Sequence, residues 1–449
     1  MSIWSRLSLV LLAPAVLAGP WLFGAWERWW FWPLAAWLFA AAALFGVALL
    51  DAERALTGFS DRLLRRDVSP ALMACGAFLV YAVVRMLTSE VYTDAERSLL
   101  LFLLPFFTGG IAAYATGPLG RKIAYGLLAV NALALGLYGI VNHQLTGSER
   151  VMWMPGYMQY IADNRATGSY YCPNHFAGIL ELGAALALGL LLDRAARRWA
   201  RGFGLVLLAV CAWGIVISRS RGGGVALLAL LILAPLLGLV QWRPKARWTL
   251  RAVMLVLALA AAGVVAWQAA AYRERFRNYP WTDLQKSDRI QMAAGALRAW
   301  RTEPAFGIGP GMHQNLWPHF AASADGDREK AIWPKYPNTG YHSYEVHSDW
   351  IQLLEEYGVV GVVLLLAALA LVLRILWRGL RREEEAWKAA AWGLPANGRF
   401  FGVVLAGMLA AAAMILHEVV DFNLQMPSTG WMLGAVLGLA AGEATRSGQ

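Results

Sequence analysis

The chain has 449 residues, 59% of them hydrophobic and 15% charged, with a mean hydropathy of +0.48. Soluble domains carry roughly 45–50% apolar and 25% charged residues, so a soluble globular fold is excluded. The net charge of +10 is spread as short-loop arginine with no basic helix or zinc-finger spacing, which leaves no footprint for a nucleic-acid partner.

Apolar stretches near the ~20-residue spanning length recur along the chain. They fall at about 7–25, 30–50, 71–88, 98–116, 123–141, 174–193, 203–218, 222–240, 252–271, 357–373, 400–417 and 427–444. Backbone groups in lipid must pair within their own segment, so these spans are expected to be helices. The fold class is therefore an all-α polytopic membrane protein of about twelve transmembrane helices. No repeat or linker marks a separable soluble domain, and residues 1–449 read as one transmembrane domain. The N-terminal run ending AVLAG resembles a signal peptide, but an uncleaved first helix keeps the span number even.

Lys and Arg set the orientation. One set of alternating loops carries Arg62, Arg65, Arg66, Arg121, Lys122, Arg194, Arg197, Arg198, Arg243, Arg247, Arg378, Arg381 and Arg382, while the opposite short loops carry far fewer. The basic set is expected in the cytoplasm with both termini. All seven histidines then fall at or beyond the outer face. The one long polar segment, 272–345, becomes a large extracytoplasmic loop. Cys75 and Cys211 lie inside spans and Cys172 stands alone, so no disulfide framework follows.

Arg85 lies within the third span, where a charge is costly and functional by default. Glu181, about two turns into the sixth span, is its candidate partner, in a purely structural pair or at a phosphate site. SRSRGGG, Ser218 to Gly224, joins two spans at the outer edge. Arg219 and Arg221 there either snorkel to lipid phosphate or grip a substrate phosphate with their planar forks. SDRIQMAAGALRAW reads as an amphipathic helix capped by Ser287 or Asp288 and ended by Pro304, with Ile290, Ala293, Leu297 and Trp300 on one face. GIGPGMH, Gly307 to His313, reads as a plain turn before an anion-binding one.

HSYEVHSDWIQLLEEYG reads as a helix starting near Ser343 and running into the tenth span. His347 would sit in its first turn, a neutral imidazole suited to act as a base. His342 is its rival, five residues upstream. HEVVD, His417 to Asp421, falls one residue short of a zinc-protease motif and has no third ligand motif near it, so it is read as the cap of the eleventh span. No metal or other cofactor is expected.

The order of ATGSYYCPNHFAG, SRSRGGG, DRIQMAAGALRAW with PAFGIGPG, VHSDWIQLLEEYGVVG and HEVVDFNL resembles the bacterial O-antigen ligase/polymerase superfamily over about residues 165–425. The resemblance implies a metal-independent, GT-C-type glycosyltransferase in the bacterial inner membrane with its site facing the periplasm. Such an enzyme moves a glycan from undecaprenyl pyrophosphate to an acceptor hydroxyl, with lipid A-core, a growing polymer end or a protein serine as acceptor. Membrane lipids are its surroundings. A lipid-linked glycan flippase is the more distant reading, but no inverted repeat or helix broken at the midplane supports it. By the resemblance, Arg221 (or Arg219) and Arg289 hold the donor pyrophosphate, with Arg85 added from its intramembrane position. His347 is the catalytic residue, and His342, Asn174 and Tyr344 are expected against the substrate. The family usually has His-Asn where this chain has His347-Ser348, which bears on acceptor handling.

Overall fold

Proline at the first turn costs no hydrogen bond and presets the helical φ. It opens helix after helix in the computed structural model, which describes residues 2–54, 68–154, 164–238, 288–320, 343–390 and 400–445, with isolated positions between 248 and 263. The spans α1 (Ile3–Ala18) and α2 (Arg28–Arg54) come first, then α3 (Ser69–Leu87) and α5 (Pro118–Thr146), which carry Pro70 and Pro118 in their first turns and flank α4 (Tyr92–Tyr114). Next come α6 (Pro173–Leu192), α7 (Arg198–Ser218) and α8 (Arg221–Gly238). Two shorter helices follow, α9 (Asp288–Trp300) and α10 (His313–Phe320), then α11 (Asp349–Ala390), α12 (Phe401–His417) and α13 (Pro427–Ala444). The described residues form an all-helical fold, and nine of their helices are long and apolar enough to cross a membrane. Every expected span except 252–271 meets a helix; that one lies largely outside the described residues.

The centre of the bundle is α6, buried along its length except at Leu191. Lipid is as apolar as leucine, so such burial gains little from the hydrophobic effect and depends on close packing of small residues. α6 is rich in Ala and Gly accordingly, and it packs on α7, α8 and α12. α13 packs along α4, and α11 packs against α3. Carboxylates pin one end of the bundle. Arg121 Nε donates to Glu443 at 2.7 Å, and Asp193 accepts from the Gly402 amide at 3.0 Å. The opposite end, toward which α9 and α10 lie, holds every described histidine.

The expected amphipathic helix is α9, and its expected cap Ser287 lies outside the described residues. The expected start of the next helix is corrected. α11 begins at Asp349, not near Ser343, because the Asp349 amide donates to the carbonyls of both Glu418 and Asp421 at 3.1 Å. Ser348 is then the N-cap, with its Oγ 3.4 Å from the Ile351 amide. Asn caps as well as Ser, so the departure from His-Asn falls where the two residues are nearly equivalent.

α11 breaks at Gly358, whose φ of 64° is left-handed. The amides of Val359 and Val360 turn to the carbonyls of Pro304 and Ala305 at 3.0 and 3.1 Å. In exchange, Ile308 and Gly309 donate to the carbonyls of Glu355 and Glu356 at 2.9 and 3.1 Å. The GIGPG loop thus takes over the hydrogen bonds that the helix gives up. Its amides are consumed inside the protein, Gly311 by the Glu356 carboxylate at 2.9 Å, which supports the plain turn over an anion cradle. Gly307 (φ 76°) and Gly358 leave no room for a Cβ: at Gly307 it would meet the Glu356 carbonyl at 2.5 Å, and at Gly358 the Ala305 carbonyl. Gly358→Ala should therefore destabilise the protein by roughly 2–4 kcal/mol through strain and overlap together. A thermal melt of the purified variant reads this, and an unchanged midpoint contradicts the account of the break.

Candidate active site

Five pieces of chain meet where the histidines gather: the starts of α6, α8, α9 and α11, and the link between α12 and α13. The start of α8 lies on His417, and the other four meet at Asp421, whose side chain is 2% exposed. A buried carboxylate must be paired or neutralised, and Asp421 is paired on both oxygens. Oδ2 accepts from Asn174 Nδ2 at 2.6 Å and from Arg289 Nη2 at 3.2 Å. Oδ1 accepts from the Phe422 amide at 3.0 Å and lies 3.8 Å from His175 Nε2 and 4.0 Å from His347 Nδ1. Burial alone would raise its pKa; Arg289 and the three histidines around it outweigh this and hold it below the usual carboxylate range. The Phe422 ring separates the two imidazoles, each edge-on to it at 4.5 Å for His175 and 4.6 Å for His347.

Arg289 opens α9 and reaches across to this link. Nη1 donates to the Val420 carbonyl at 2.5 Å while Nη2 holds Asp421, and the side chain stays 44% exposed. Its fork is thus oriented by the protein at one edge while a large part of it faces outward. His347 precedes α11 with φ 60°, a conformation costly for a residue with a Cβ, by about 1–3 kcal/mol. Its Nδ1 has no hydrogen-bond partner among the described residues. Burial, then the charges of Arg289 and His313, push its pKa down to about 4 against the pull of Asp421. At neutral pH it is therefore an uncharged imidazole with a lone pair to accept a proton.

The link itself is held by carboxylates. Asp349 accepts from the Leu424 amide at 3.0 Å, and Glu418 accepts from the Asn423 amide at 2.7 Å. Burial and the neighbouring Asp349 push the Glu418 carboxyl well above its ordinary value. Beside the site lies a second buried group. His313 meets Glu355 at 2.7 Å and Ser343 at 3.1 Å, and Gln352 donates to Glu345 at 2.6 Å. Burial raises Glu345 to about 7. Burial lowers His313, but the bond and charge of Glu355 outweigh it and the net shift is upward. Among the described residues, no group of three or more His, Cys, Asp and Glu is arranged to hold a metal ion.

The residues singled out in the sequence separate on this geometry. Arg289, His347 and Asn174 converge on Asp421. Asn174 also accepts from Arg165 at 2.8 Å, and Arg165 Nε donates to the Ser218 carbonyl at 2.8 Å, which ties the SRSRGGG turn to the same network. Arg221 is exposed at the first position of α8, and Arg219, with φ 53°, is the exposed residue that ends α7. Tyr344 is 62% exposed. His342 lies outside the described residues.

The expected Arg85–Glu181 pair does not form. Arg85 donates to the Gly307 carbonyl at 2.8 Å and so clamps the GIGPG loop, whereas Glu181 binds His417 at 2.6 Å. Asp421, His175 and Arg165 were not singled out as site residues. Asp421 stood in HEVVDFNL, where its place in a near-miss zinc motif hid its role as an intramembrane-edge carboxylate.

The fold and this cluster of guanidinium, imidazole and carboxylate define a polytopic helical membrane protein with a polar site at one end of its bundle. Residues 203–366 match the family described as O-antigen ligase, which supports the resemblance to the O-antigen ligase/polymerase superfamily. The match runs from α7 into α11. It takes in the arginine turn, Arg289 and His347, and leaves out Asn174 and Asp421. No curated protein matches the chain.

Proposed function

We propose that this chain transfers a glycan from an undecaprenyl-pyrophosphate donor to an acceptor hydroxyl, lipid A-core or a related glycan, at the periplasmic face of the inner membrane. The observation that carries the reading is one shared buried carboxylate, Asp421, with Arg289 on one oxygen and His347 beside the other. A phosphate anchor and a base are thereby set in one rigid frame. In the reaction, His347 takes the proton of the acceptor hydroxyl as its oxygen attacks the anomeric carbon. The bond from that carbon to the pyrophosphate breaks, with inversion, and undecaprenyl pyrophosphate leaves with the electron pair. Arg289 and Arg221 stabilise the charge that develops on it, the task of preorganised donors in a dry site. No metal or cofactor has a part in this scheme.

The lipid tail needs apolar room beside the site. A cavity of about 620 Å³ runs among α3, α4, α11 and α13, lined chiefly by Leu, Phe, Ala and Gly. Its loop-side end reaches Asp349, Glu418 and Gln425, directly under the Asp421 link. In this reading 272–345 is one extracytoplasmic loop of a single twelve-helix domain, and Tyr344 and His342 face the sugar.

The test is transfer by the purified chain in detergent, with an undecaprenyl-pyrophosphate glycan and each of three acceptors: lipid A-core, a polymer end and a serine peptide. Glycosylated lipid A-core is the expected product. Product on the polymer end or the peptide alone moves the assignment to a polymerase or a protein oligosaccharyltransferase. No transfer to any acceptor overturns it.

A further inference from the structure

We infer that the buried His417–Glu181 pair is a positioning device for the arginine turn, setting Arg221 for the donor phosphate; the inference rests on the function proposed above. Both side chains are 0% exposed, and His417 Nδ1 meets Glu181 Oε1 at 2.6 Å. Such a pair adds little net stability over apolar residues of the same shape, because desolvating the charges offsets their attraction. Its position offers another role. The opposite nitrogen, His417 Nε2, lies 3.5 Å from Ser220 Oγ. Ser220 caps α8, its Oγ accepting from the Gly223 amide at 3.1 Å and its carbonyl from the Gly224 amide at 3.0 Å. Glu181, His417 and Ser220 therefore form one chain of contacts that ends at the residue before Arg221.

The glycines of SRSRGGG fit the same arrangement. A Cβ on Gly222 would overlap the His417 ring, 2.6 Å from Nε2, and one on Gly223 would lie 2.8 Å from Ala177 Cβ and 3.3 Å from Glu181 Oε1. The first turn of α8 thus lies flat on the pair, and only residues without side chains allow that approach. From the other side, Arg165 holds the Ser218 carbonyl and the Ala166 amide holds the Ile217 carbonyl at 3.1 Å. Arg221 sits exposed on a turn clamped from both sides. An arginine fork is directional, so a tilt of that first turn costs phosphate affinity even with the charge kept.

The experiment is a double-mutant cycle on binding of undecaprenyl pyrophosphate to the full chain in detergent, with turnover measured at saturating donor. Glu181→Gln keeps an acceptor for His417 and removes the charge. Gly222→Ala pushes the turn off the ring. Each should weaken binding by about tenfold, and neither should weaken it further in an Arg221→Ala background, because coupled positions are not additive. Turnover at saturating donor should fall with it and show the same loss of effect in the Arg221→Ala background, because Arg221 also stabilises the charge that develops on the leaving pyrophosphate. Gly46→Ala, at a site on α2 where a Cβ meets nothing within 4 Å, is the silent control. Losses that add in the double variants, or a fall in turnover with binding unchanged, overturn the inference. If Glu181→Gln does not fold, the Gly222→Ala arm decides alone. Wild-type protein that binds no donor refutes the proposed function instead, so the two failures are distinct.

Discussion

His347→Ala should lower glycan transfer by about 10²–10⁴-fold, the range of a lost general base, while donor affinity holds. The expectation follows from where the imidazole sits. Asp421 and Phe422 flank the ring, and burial pushes its pKa down to about 4, which keeps it uncharged at neutral pH. The sign of the pH dependence follows too. A base with a depressed pKa is lost only when pH falls toward that value, so wild-type transfer should stay level from about pH 8 to 6 and decline toward pH 4. Arg289 is one cause of the depression, so Arg289→Ala should move the acid limb of the profile upward. His342→Ala is the comparison. If it abolishes turnover while His347→Ala stays near wild type, the base is the other histidine.

Arg289→Lys should cost on the order of 10²-fold in transfer, comparable to losing one preorganised donor at a developing anion. The guanidinium bridges the Val420 carbonyl and the Asp421 carboxylate with two separate nitrogens. A lysine ammonium keeps the charge but cannot span both and still present a planar edge outward. The side chain is 44% exposed, so its loss should weaken binding more than it weakens the fold. Donor affinity and melting temperature measured on one preparation separate these. Full activity in the lysine variant would remove Arg289 from the phosphate site.

Much of the fold was legible because each clue was local. Apolar runs of spanning length mark the helices, and the amphipathic pattern marks α9, although the face it buries is Met292, Ala296 and Ala299 and not the expected one, whose Ile290 is exposed. The site was legible only in parts. Arg289 and His347 stood out by charge and by resemblance. Asp421 did not, because its meaning lies in partners far along the chain: Asn174 is 247 residues away and Arg289 is 132. Glu181 was noticed as a buried acid but given the wrong partner for the same reason. Its true partner His417 is 236 residues distant, and nothing in the periodicity of α6 or α12 declares their register.

The start of α11 shows a further limit. Local pattern allows a helix from Ser343 onward. Two long-range bonds from the Asp349 amide fix the first turn six residues later, and His347 is left outside it in a left-handed conformation. That displacement makes the difference between a histidine on a helix face and one turned to Asp421. The GIGPG loop is the opposite case, since a glycine-rich turn was expected there, yet its partner, the break at Gly358, has no local signal that sets this glycine apart from Gly361 and Gly379 of the same helix.

The most direct test of the account is a cryo-EM structure of the full chain with undecaprenyl pyrophosphate bound. The account predicts phosphate density within hydrogen-bond reach of both Arg289 and Arg221, with the tail in the cavity among α3, α4, α11 and α13. Phosphates held away from these two arginines, with the Asp421 cluster untouched, would contradict it.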